Sequence, residues 1–182
     1  LIPEQFSPWI EDPDAITSIL DLCTGSACLP IMLADAFPNA HIDAVDLSSK
    51  ALEVARKNVA EYEMQERITL YESDLYTALA DKKYDLIISN PPYVNSGSMA
   101  KLPAEYQHEP QMALAGGTDG MDLVRKIVAG AATRLNPNGM LMVEIGNERA
   151  FAEAAFPDLA LTWHSTSAGD DMVFSVLAEQ LI

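Results

Sequence analysis

The chain has 182 residues, of which 49% are hydrophobic, and this is enough to bury the core of one domain. Its 27 acidic residues outnumber 11 basic ones, giving a formal net charge of −16, which argues against non-specific binding to nucleic-acid phosphates. No apolar run reaches about 18 residues and no signal sequence is recognisable, so we expect a cytoplasmic protein without a membrane span.

The N-terminal segment and the cysteines set two further expectations. Because the chain opens on Leu1, we expect it to be truncated upstream, and residues 1–14 contain three prolines and predict an irregular approach segment. Cys23 and Cys28 lie five positions apart without a matching Cys or His pair. This spacing is neither a zinc pattern nor a disulfide framework, so we expect two reduced thiols and no metal.

Strands and helices alternate along the first part of the chain. Residues 19–23 predict the first strand, residues 24–27 a tight loop of small residues, and residues 28–37 an apolar helix. Pro30 is tolerated in that helix because it falls in the first turn. The predicted second strand is His41–Asp46, and a third strand follows at residues 67–71.

A second helix is predicted between these two strands. Ser48 is suited to be its N-cap, and residues 49–64 carry Leu52, Ala55 and Val59 at helical spacing with charges on the opposite face. The apolar run Tyr84–Ser89 predicts a fourth strand. Strands that alternate with helices predict parallel pairing and a doubly wound sheet.

The second half of the chain begins with a long, weakly periodic connection at residues 95–120, and loops of this length are usually functional or disordered. The remaining elements are predicted as a helix at 122–135, a turn at 136–139, a fifth strand at 140–146, a helix at 147–156, and a closing antiparallel pair at 159–165 and 172–178. The predicted fold class is therefore a single α/β domain, with a doubly wound seven-stranded sheet that is mostly parallel.

Chemistry-bearing residues follow four of the predicted strands. They are Asp21–Ala27, Asp46, residues 73–75 and Asn90–Tyr93. In an open α/β sheet, ligands bind outside the carboxyl ends of the strands at the point where strand order reverses. Each stretch alone also has a structural explanation as a cap or a packing loop, so their joint placement is what indicates a site.

The first three stretches indicate a nucleoside without phosphates. The first loop has one glycine, Gly25, and lacks the three glycines of the dinucleotide fingerprint, which makes a nicotinamide dehydrogenase a poor alternative. Asp46 lies about 20 residues onward, where an acidic residue can accept from ribose hydroxyls, and Asp74 can accept from an adenine amino group. Acidic residues beside an adenosine also favour a cationic ligand, which predicts S-adenosylmethionine.

The fourth stretch, Asn90-Pro91-Pro92-Tyr93, predicts a stiff turn. Two prolines fix two φ angles and remove two backbone donors, so the turn presents hydrogen-bond acceptors beside an aromatic ring. Acceptors at Asn90 and at the Pro91 carbonyl suit a planar group with two N–H donors. A primary amide and an adenine amino group both fit this description.

Taken together, these motifs resemble the class I S-adenosylmethionine-dependent methyltransferases that modify protein glutamine side chains. The resemblance extends to residues 102–110 and 115–120 and covers nearly the whole chain from about Phe6. One branch of that family modifies release factors and another modifies a large-subunit ribosomal protein. The chain looks like the second branch, because Cys23 and residues 102–110 are similar to it.

The resemblance implies a set of site residues. Cofactor contacts would come from Asp21, Cys23, Thr24, Gly25, Ala27, Asp46, Leu47, Asp74, Leu75 and Asn90. Substrate contacts would come from Asn90, Pro91, Pro92, Tyr93 and His108, with Asn90, Pro91 and Tyr93 acting in catalysis. Ala27 stands where the family usually has glycine, which we expect to add a methyl group beside the methionine part of the cofactor and to weaken its binding.

The same resemblance carries an expectation about domains and partners. Residues 1–182 would form the catalytic domain alone, without the family's helical N-terminal domain for substrate recognition. The implied partner is a basic ribosomal protein. The alternatives are a release factor, the adenine amino group of a nucleic acid with its base flipped out, and a module that binds S-adenosylmethionine without catalysis.

Overall fold

The structure, a computed structural model, describes residue 10 and residues 12–94, 117–166 and 169–181. These ranges contain seven strands and four α-helices, together with short 3₁₀ helices at Pro13–Ala15 and Ala178–Gln180. In chain order they are β1 (Ser18–Leu22), α1 (Cys28–Ala36), β2 (His41–Asp46), α2 (Ser49–Glu61), β3 (Ile68–Glu72), β4 (Tyr84–Ser89), α3 (Asp122–Arg134), β5 (Leu135–Glu144), α4 (Arg149–Ala155), β6 (Thr162–Thr166) and β7 (Gly169–Leu177).

All seven strands form one sheet in the order β3-β2-β1-β4-β5-β7-β6. Strands β1 to β5 are parallel, and β7 runs antiparallel to both β5 and β6. The predicted mostly parallel, doubly wound sheet with a closing antiparallel pair is therefore confirmed. Because β1 pairs with β2 on one side and β4 on the other, the strand order reverses between β1 and β4.

The core consists of two hydrophobic clusters, one on each face of the sheet. The first contains Phe37 of the turn after α1 and Leu52 of α2, and the second contains Ile127 of α3 and Phe174 of β7. Leucine and isoleucine at positions 86 and 87 of β4 belong to opposite clusters, so this central strand is buried on both faces. Ligand access to it is therefore confined to the strand ends.

Helix α2 begins as predicted and ends earlier. The Ser48 hydroxyl accepts a hydrogen bond from the Ala51 N–H at 3.2 Å, which confirms the predicted N-cap. The predicted apolar positions Leu52, Ala55 and Val59 are all buried. The helix ends at Glu61 rather than 64, because Glu63 adopts a left-handed conformation with φ +57° that stops the helical repeat.

Strand β1 is one residue earlier than predicted, because Cys23 has φ +63° and leaves the extended conformation. Strand β3 is one residue later. The helices predicted at 28–37, 122–135 and 147–156 each begin or end one or two residues inside those limits. The closing strands are displaced along the chain, to Thr162–Thr166 and Gly169–Leu177.

The turn predicted at residues 136–139 is wrong, because these residues lie within β5. Tyr84 pairs with Leu135 and Leu86 pairs with Met140, so β5 advances five residues while β4 advances two. The extra residues form a bulge in which Asn138 takes φ +63°. Turn-forming residues thus create an irregularity inside a strand rather than a boundary before it.

Candidate functional site

The predicted site stretches lie along one edge of the sheet. In the ladders Leu22 pairs with Val45 and with Ser89, and Asp46 pairs with Glu72. Residues that follow these positions therefore leave the sheet side by side at its carboxyl edge. The reversal of strand order falls between the Asp21–Ala27 loop and the Asn90 turn, as expected for a ligand crevice in this architecture.

The loop after β1 is fixed by backbone hydrogen bonds. The Thr24 N–H donates to the Val45 carbonyl at 2.9 Å, and the Ala27 N–H donates to the Thr24 carbonyl at 3.0 Å. Gly25 has φ +58°, and a β-carbon built on it would meet nothing within 4 Å. Glycine is thus required there by backbone conformation, and the space above it is open to a ligand.

Asp46 connects the loops that follow β1 and β2. Its Oδ2 accepts from the Gly25 N–H at 2.8 Å, and its Oδ1 accepts from the Ser48 N–H at 2.8 Å. An ionised carboxylate offers about four acceptor positions, so about two remain for ribose hydroxyls. The sequence missed this bridging role, which depends on the contact between the two loops.

Three aspartates surround the thiol of Cys23. Burial, with the negative charges of Asp46, Asp21 and Asp74 adding to it and the Ser89 side chain opposing it, raises the pKa of the Cys23 thiol to about 12. The thiol therefore stays protonated at neutral pH and is not a nucleophile. The three carboxylates that act on this thiol lie at or after the carboxyl ends of the neighbouring strands β1, β2 and β3, and we call them the acidic cluster.

Asp21 is the buried member of this cluster, with 1% of its surface exposed. Burial raises its pKa to about 7, and the negative charge of Asp46 contributes, while the nearby Thr24 hydroxyl acts in the opposite direction. Within the described ranges, Asp21 Oδ2 and Thr24 Oγ1 are buried without a partner in hydrogen-bonding geometry. Such unsatisfied atoms fit a ligand that brings its own polar groups to this edge.

Ala27 is buried, whereas we expected its methyl group to lie beside the methionine part of the cofactor. It has a left-handed conformation, with φ +63°, at the N-terminus of α1, where glycine would be unstrained. Its exposed fraction is 0%, and it packs in the first core cluster. The methyl group is therefore packed in the core and is not exposed at the crevice, and the effect of Ala27 on cofactor binding stays a prediction.

The turn after β3 presents the remaining cofactor candidates. The Ser73 N–H donates to the Asp46 carbonyl at 3.0 Å, which ties this turn to the end of β2. Asp74 is exposed, Leu75 is partly buried with φ +46°, and Leu47 is 57% exposed. Two apolar side chains thus accompany the acidic group at this end of the crevice.

The Asn90 turn is held against β1. The Ser89 hydroxyl donates to the Leu22 carbonyl at 2.8 Å, so the ends of β4 and β1 are joined directly. Asn90 is exposed, Pro91 is buried, and Pro92 and Tyr93 are partly buried. The arrangement of acceptors at Asn90 and Pro91 beside the Tyr93 ring stays a prediction.

Two residues at the end of β5 complete this part of the site and were not assigned to it from the sequence. Gly146 lies against the Tyr93 ring. Glu144 follows the residue that pairs with Ser89, and burial raises the pKa of its half-buried carboxyl group. A glycine directly after an apolar strand was the available signal for Gly146.

Other predicted features lie elsewhere. His108 and residues 102–110 are outside the described residues, as is most of the predicted long connection. No helix in the described part of the chain has both the length and the apolar character needed to cross a membrane. Cys23 and Cys28 are both free thiols, as expected.

Comparisons with known proteins identify the family. The family model of the methyltransferase small domain matches residues 10–105. The chain is 56% identical to a ribosomal protein uL3 glutamine methyltransferase of Burkholderia pseudomallei and 54% identical to one of Bordetella pertussis. Each alignment covers 100% of this chain and 61% of the relative, so the chain spans about three fifths of the length of these relatives.

A solved structure shows the same fold. The crystal structure of a methyltransferase from Pyrococcus furiosus superimposes with a TM-score of 0.67 at 16% identity, covering 97% of this chain and 82% of that chain. The strand order and the family match agree with each other. The chain therefore belongs to the methyltransferase small domain family.

Proposed function

We propose that this chain transfers a methyl group from S-adenosylmethionine to the side-chain amide nitrogen of a glutamine in the large-subunit ribosomal protein uL3. The observation that carries the proposal is the exposed Asn90 carboxamide, one strand away from the acidic cofactor cluster at the reversal of strand order. The names of relatives that are 56% and 54% identical supply the substrate. Residues 1–182 would act as the catalytic domain.

The cofactor would lie across the ends of β1, β2 and β3. Asp46 would accept from the ribose hydroxyls, Asp74 from the adenine amino group, and Leu47 and Leu75 would flank the adenine. The buried, unpartnered Asp21 Oδ2 supports a cationic amino group nearby. The cofactor supplies an activated methyl group on a sulfonium.

The chain's own residues would prepare the amide for reaction. A primary amide nitrogen is a weak nucleophile because its lone pair is delocalised into the carbonyl group. Asn90 Oδ1 and the Pro91 carbonyl oxygen would accept its two hydrogens, which orients the lone pair and favours a pyramidal nitrogen. As the nitrogen–carbon bond forms, the sulfur–methyl bond breaks and a neutral thioether leaves, and one of the two amide protons is released to water. Tyr93 would pack against the flat face of the amide and exclude water.

The charge of the chain supports a basic protein substrate. A net charge of −16 would attract a cationic ribosomal protein and repel nucleic acid. The substrate also implies a reaction in the cytoplasm, where ribosomal proteins are made. An adenine amino group presents similar donors to Asn90, so the experiment must compare both kinds of acceptor.

The proposal is tested by incubating the protein with S-adenosylmethionine carrying a tritiated methyl group and, separately, purified uL3, a release factor and adenine-containing DNA. We expect label in uL3, located on a glutamine by mass spectrometry. Label only in the release factor would change the substrate. Label only in DNA would replace the protein reaction with base methylation, and cofactor binding without transfer to any acceptor would support a non-catalytic module.

A further inference from the structure

The ring of Tyr93 lies directly against the α-carbon of Gly146 at the end of β5. A β-carbon built on Gly146 would stand 2.6 Å from Cε2, 2.9 Å from Cζ and 3.1 Å from the hydroxyl oxygen of Tyr93. Non-bonded carbon atoms pack best at about 3.5–4.0 Å. Any side chain at position 146 would therefore displace the outer edge of the ring.

Gly146 is itself held firmly in place. It is buried and has φ +55°, a conformation that glycine adopts without strain. On its N-terminal side the Ile145 N–H donates to the Met172 carbonyl at 2.8 Å, and the Ile145 carbonyl accepts from the Glu148 N–H at 3.3 Å. These bonds to β7 and to the start of α4 make the Gly146 backbone a fixed surface.

The backbone that carries Tyr93 is fixed from the opposite direction. Pro91 and Pro92 restrict the turn, and Ser89 joins the preceding strand to β1. The Tyr93 side chain also packs against the second core cluster. With its backbone restricted by the turn and its ring edge in contact with Gly146, the ring is confined from two directions.

We infer that Gly146 is a positioning residue for Tyr93, and that its missing side chain sets the width of the slot between the ring and Asn90. The inference rests on the proposed function, in which this slot takes the flat amide of the substrate glutamine. A displaced ring would close the slot or tilt the amide. Gly146 therefore acts on the acceptor and not on the cofactor.

The predicted effect of Gly146→Ala follows from the distances. The ring edge must move by about 1 Å to restore normal contact, and a displacement of about 1 Å can lower a rate about 10²-fold. We expect kcat for methyl transfer to fall by about 10²-fold, while the Kd for S-adenosylmethionine stays within about threefold. The cofactor is spared because its predicted contacts lie mainly on β1, β2 and β3.

Alanine at position 146 is also strained by the positive φ of the backbone. The effect of this strain is separated from the effect of ring displacement by making the same change in a Tyr93→Ala background. In the Tyr93→Ala background no ring remains, and we expect Gly146→Ala to change the single-turnover rate by less than about threefold there. Gly139→Ala is the control for general destabilisation. Gly139 lies in the first half of β5, whereas Gly146 follows the end of that strand, and the β-carbon of an alanine at 139 would meet backbone carbonyl oxygens at 2.9, 3.1 and 3.2 Å.

Ring position is measured independently of turnover by fluorine NMR of protein labelled with fluorotyrosine, with the Tyr93 signal assigned by its loss in Tyr93→Phe. We expect Gly146→Ala to shift this signal and Gly139→Ala to leave it in place. An unmoved Tyr93 signal, or equal rate losses from Gly146→Ala in the wild-type and Tyr93→Ala backgrounds, would overturn the inference. Wild-type protein that binds cofactor but labels no acceptor would reject the proposed function, and the fluorine signal would still decide the role of Gly146.

Discussion

Among single residues, Asn90 provides the clearest separation between cofactor binding and turnover. Its side chain is exposed at the end of β4, whereas the acidic cluster lies at the ends of β1 to β3. We expect Asn90→Ala to lower kcat by about 10²–10³, the range for losing one positioned polar group in an active site, with the cofactor Kd within about threefold. Calorimetry and a methyl-transfer assay measure the two quantities.

Asn147→Ala serves as the matched control, because Asn147 is another exposed asparagine at the carboxyl edge and follows β5. We expect it to retain wild-type kcat. If Asn90→Ala lost cofactor binding while keeping turnover, the assignment of Asn90 to the substrate would be incorrect.

Asp21 makes stability depend on pH near neutrality. Because burial raises its pKa from 3.8 to about 7, the folded protein keeps a proton that the unfolded chain releases. This contribution to stability is complete below about pH 3.8 and is lost as the pH rises through about 7. Between these two pKa values, each unit by which the pH rises lowers the free energy of unfolding by about 1.4 kcal/mol.

We therefore expect wild-type protein to lose on the order of 2–3 kcal/mol of unfolding free energy between about pH 5 and pH 8 through this residue. Asn cannot ionise, so the unfolding free energy of Asp21→Asn should lack this part of the pH dependence. The exposed Asp35→Asn in α1 is the control and should follow the wild type. Urea denaturation across this pH range measures the difference, and parallel curves for wild type and Asp21→Asn would contradict the prediction.

Asp21, Asp46 and Asn90 could be singled out from the sequence because each is a polar residue near the carboxyl end of a predicted strand. Gly146 and Ser89 could not be assigned in the same way. Their roles depend on contacts with Tyr93 and Leu22, which are distant along the chain. A local signal can mark such a residue, as the glycine after β5 does, but it cannot name the distant residue that it contacts.

At the scale of elements, Arg67 joins the end of α1 to the start of β3. Its guanidinium donates to the carbonyl oxygens of Ala34 at 2.8 Å and Phe37 at 2.6 Å, and to that of Ala40 at 3.1 and 2.7 Å. These carbonyl groups lie at the last turn of the helix and the connection after it. A positive charge there also interacts favourably with the helix dipole.

We expect Arg67→Met to lower the free energy of unfolding by about 2–3 kcal/mol, since hydrogen bonds to a charged group are lost from partly buried carbonyls. Arg56→Met removes a positive charge of the same kind from the exposed face of α2. We expect it to change the free energy of unfolding by less than about 0.5 kcal/mol. Urea midpoints at unchanged m-value measure both. Equal effects of the two changes would show that only the charge matters.

The element bounds show which sequence signals were sufficient. β2 and β4 were predicted at their observed limits. β2 shows an alternating pattern after Pro38 and Asn39, and β4 is an apolar run that ends at Asn90 and Pro91. The end of α2 was missed, since Glu63 takes a left-handed conformation that its residue type does not announce. The start of β5 was missed because pairing with β4 resumes on both sides of the bulge.

For the whole molecule, the net charge of −16 predicts how binding responds to salt. Attraction between an acidic enzyme and a basic protein is screened as the Debye length shortens from about 10 Å at 0.1 M salt. We expect KM for uL3 to rise several-fold between about 0.05 and 0.3 M NaCl, and kcat to change little. A short neutral peptide with the same glutamine should show a flat KM.

Steady-state kinetics at several salt concentrations measure this dependence. A KM for uL3 that stays constant would mean that the acidic surface does not guide the substrate. A KM that falls with salt would indicate repulsion between the partners instead.

The hydrogen bond from Ser89 to the Leu22 carbonyl holds the carboxyl ends of β4 and β1 together. The cofactor loop and the amide turn leave adjacent strands about 4.8 Å apart, and that bond prevents the strand ends from separating. Under the proposed function, the methyl donor and the amide acceptor would therefore be held at a spacing set by one pair of neighbouring strands.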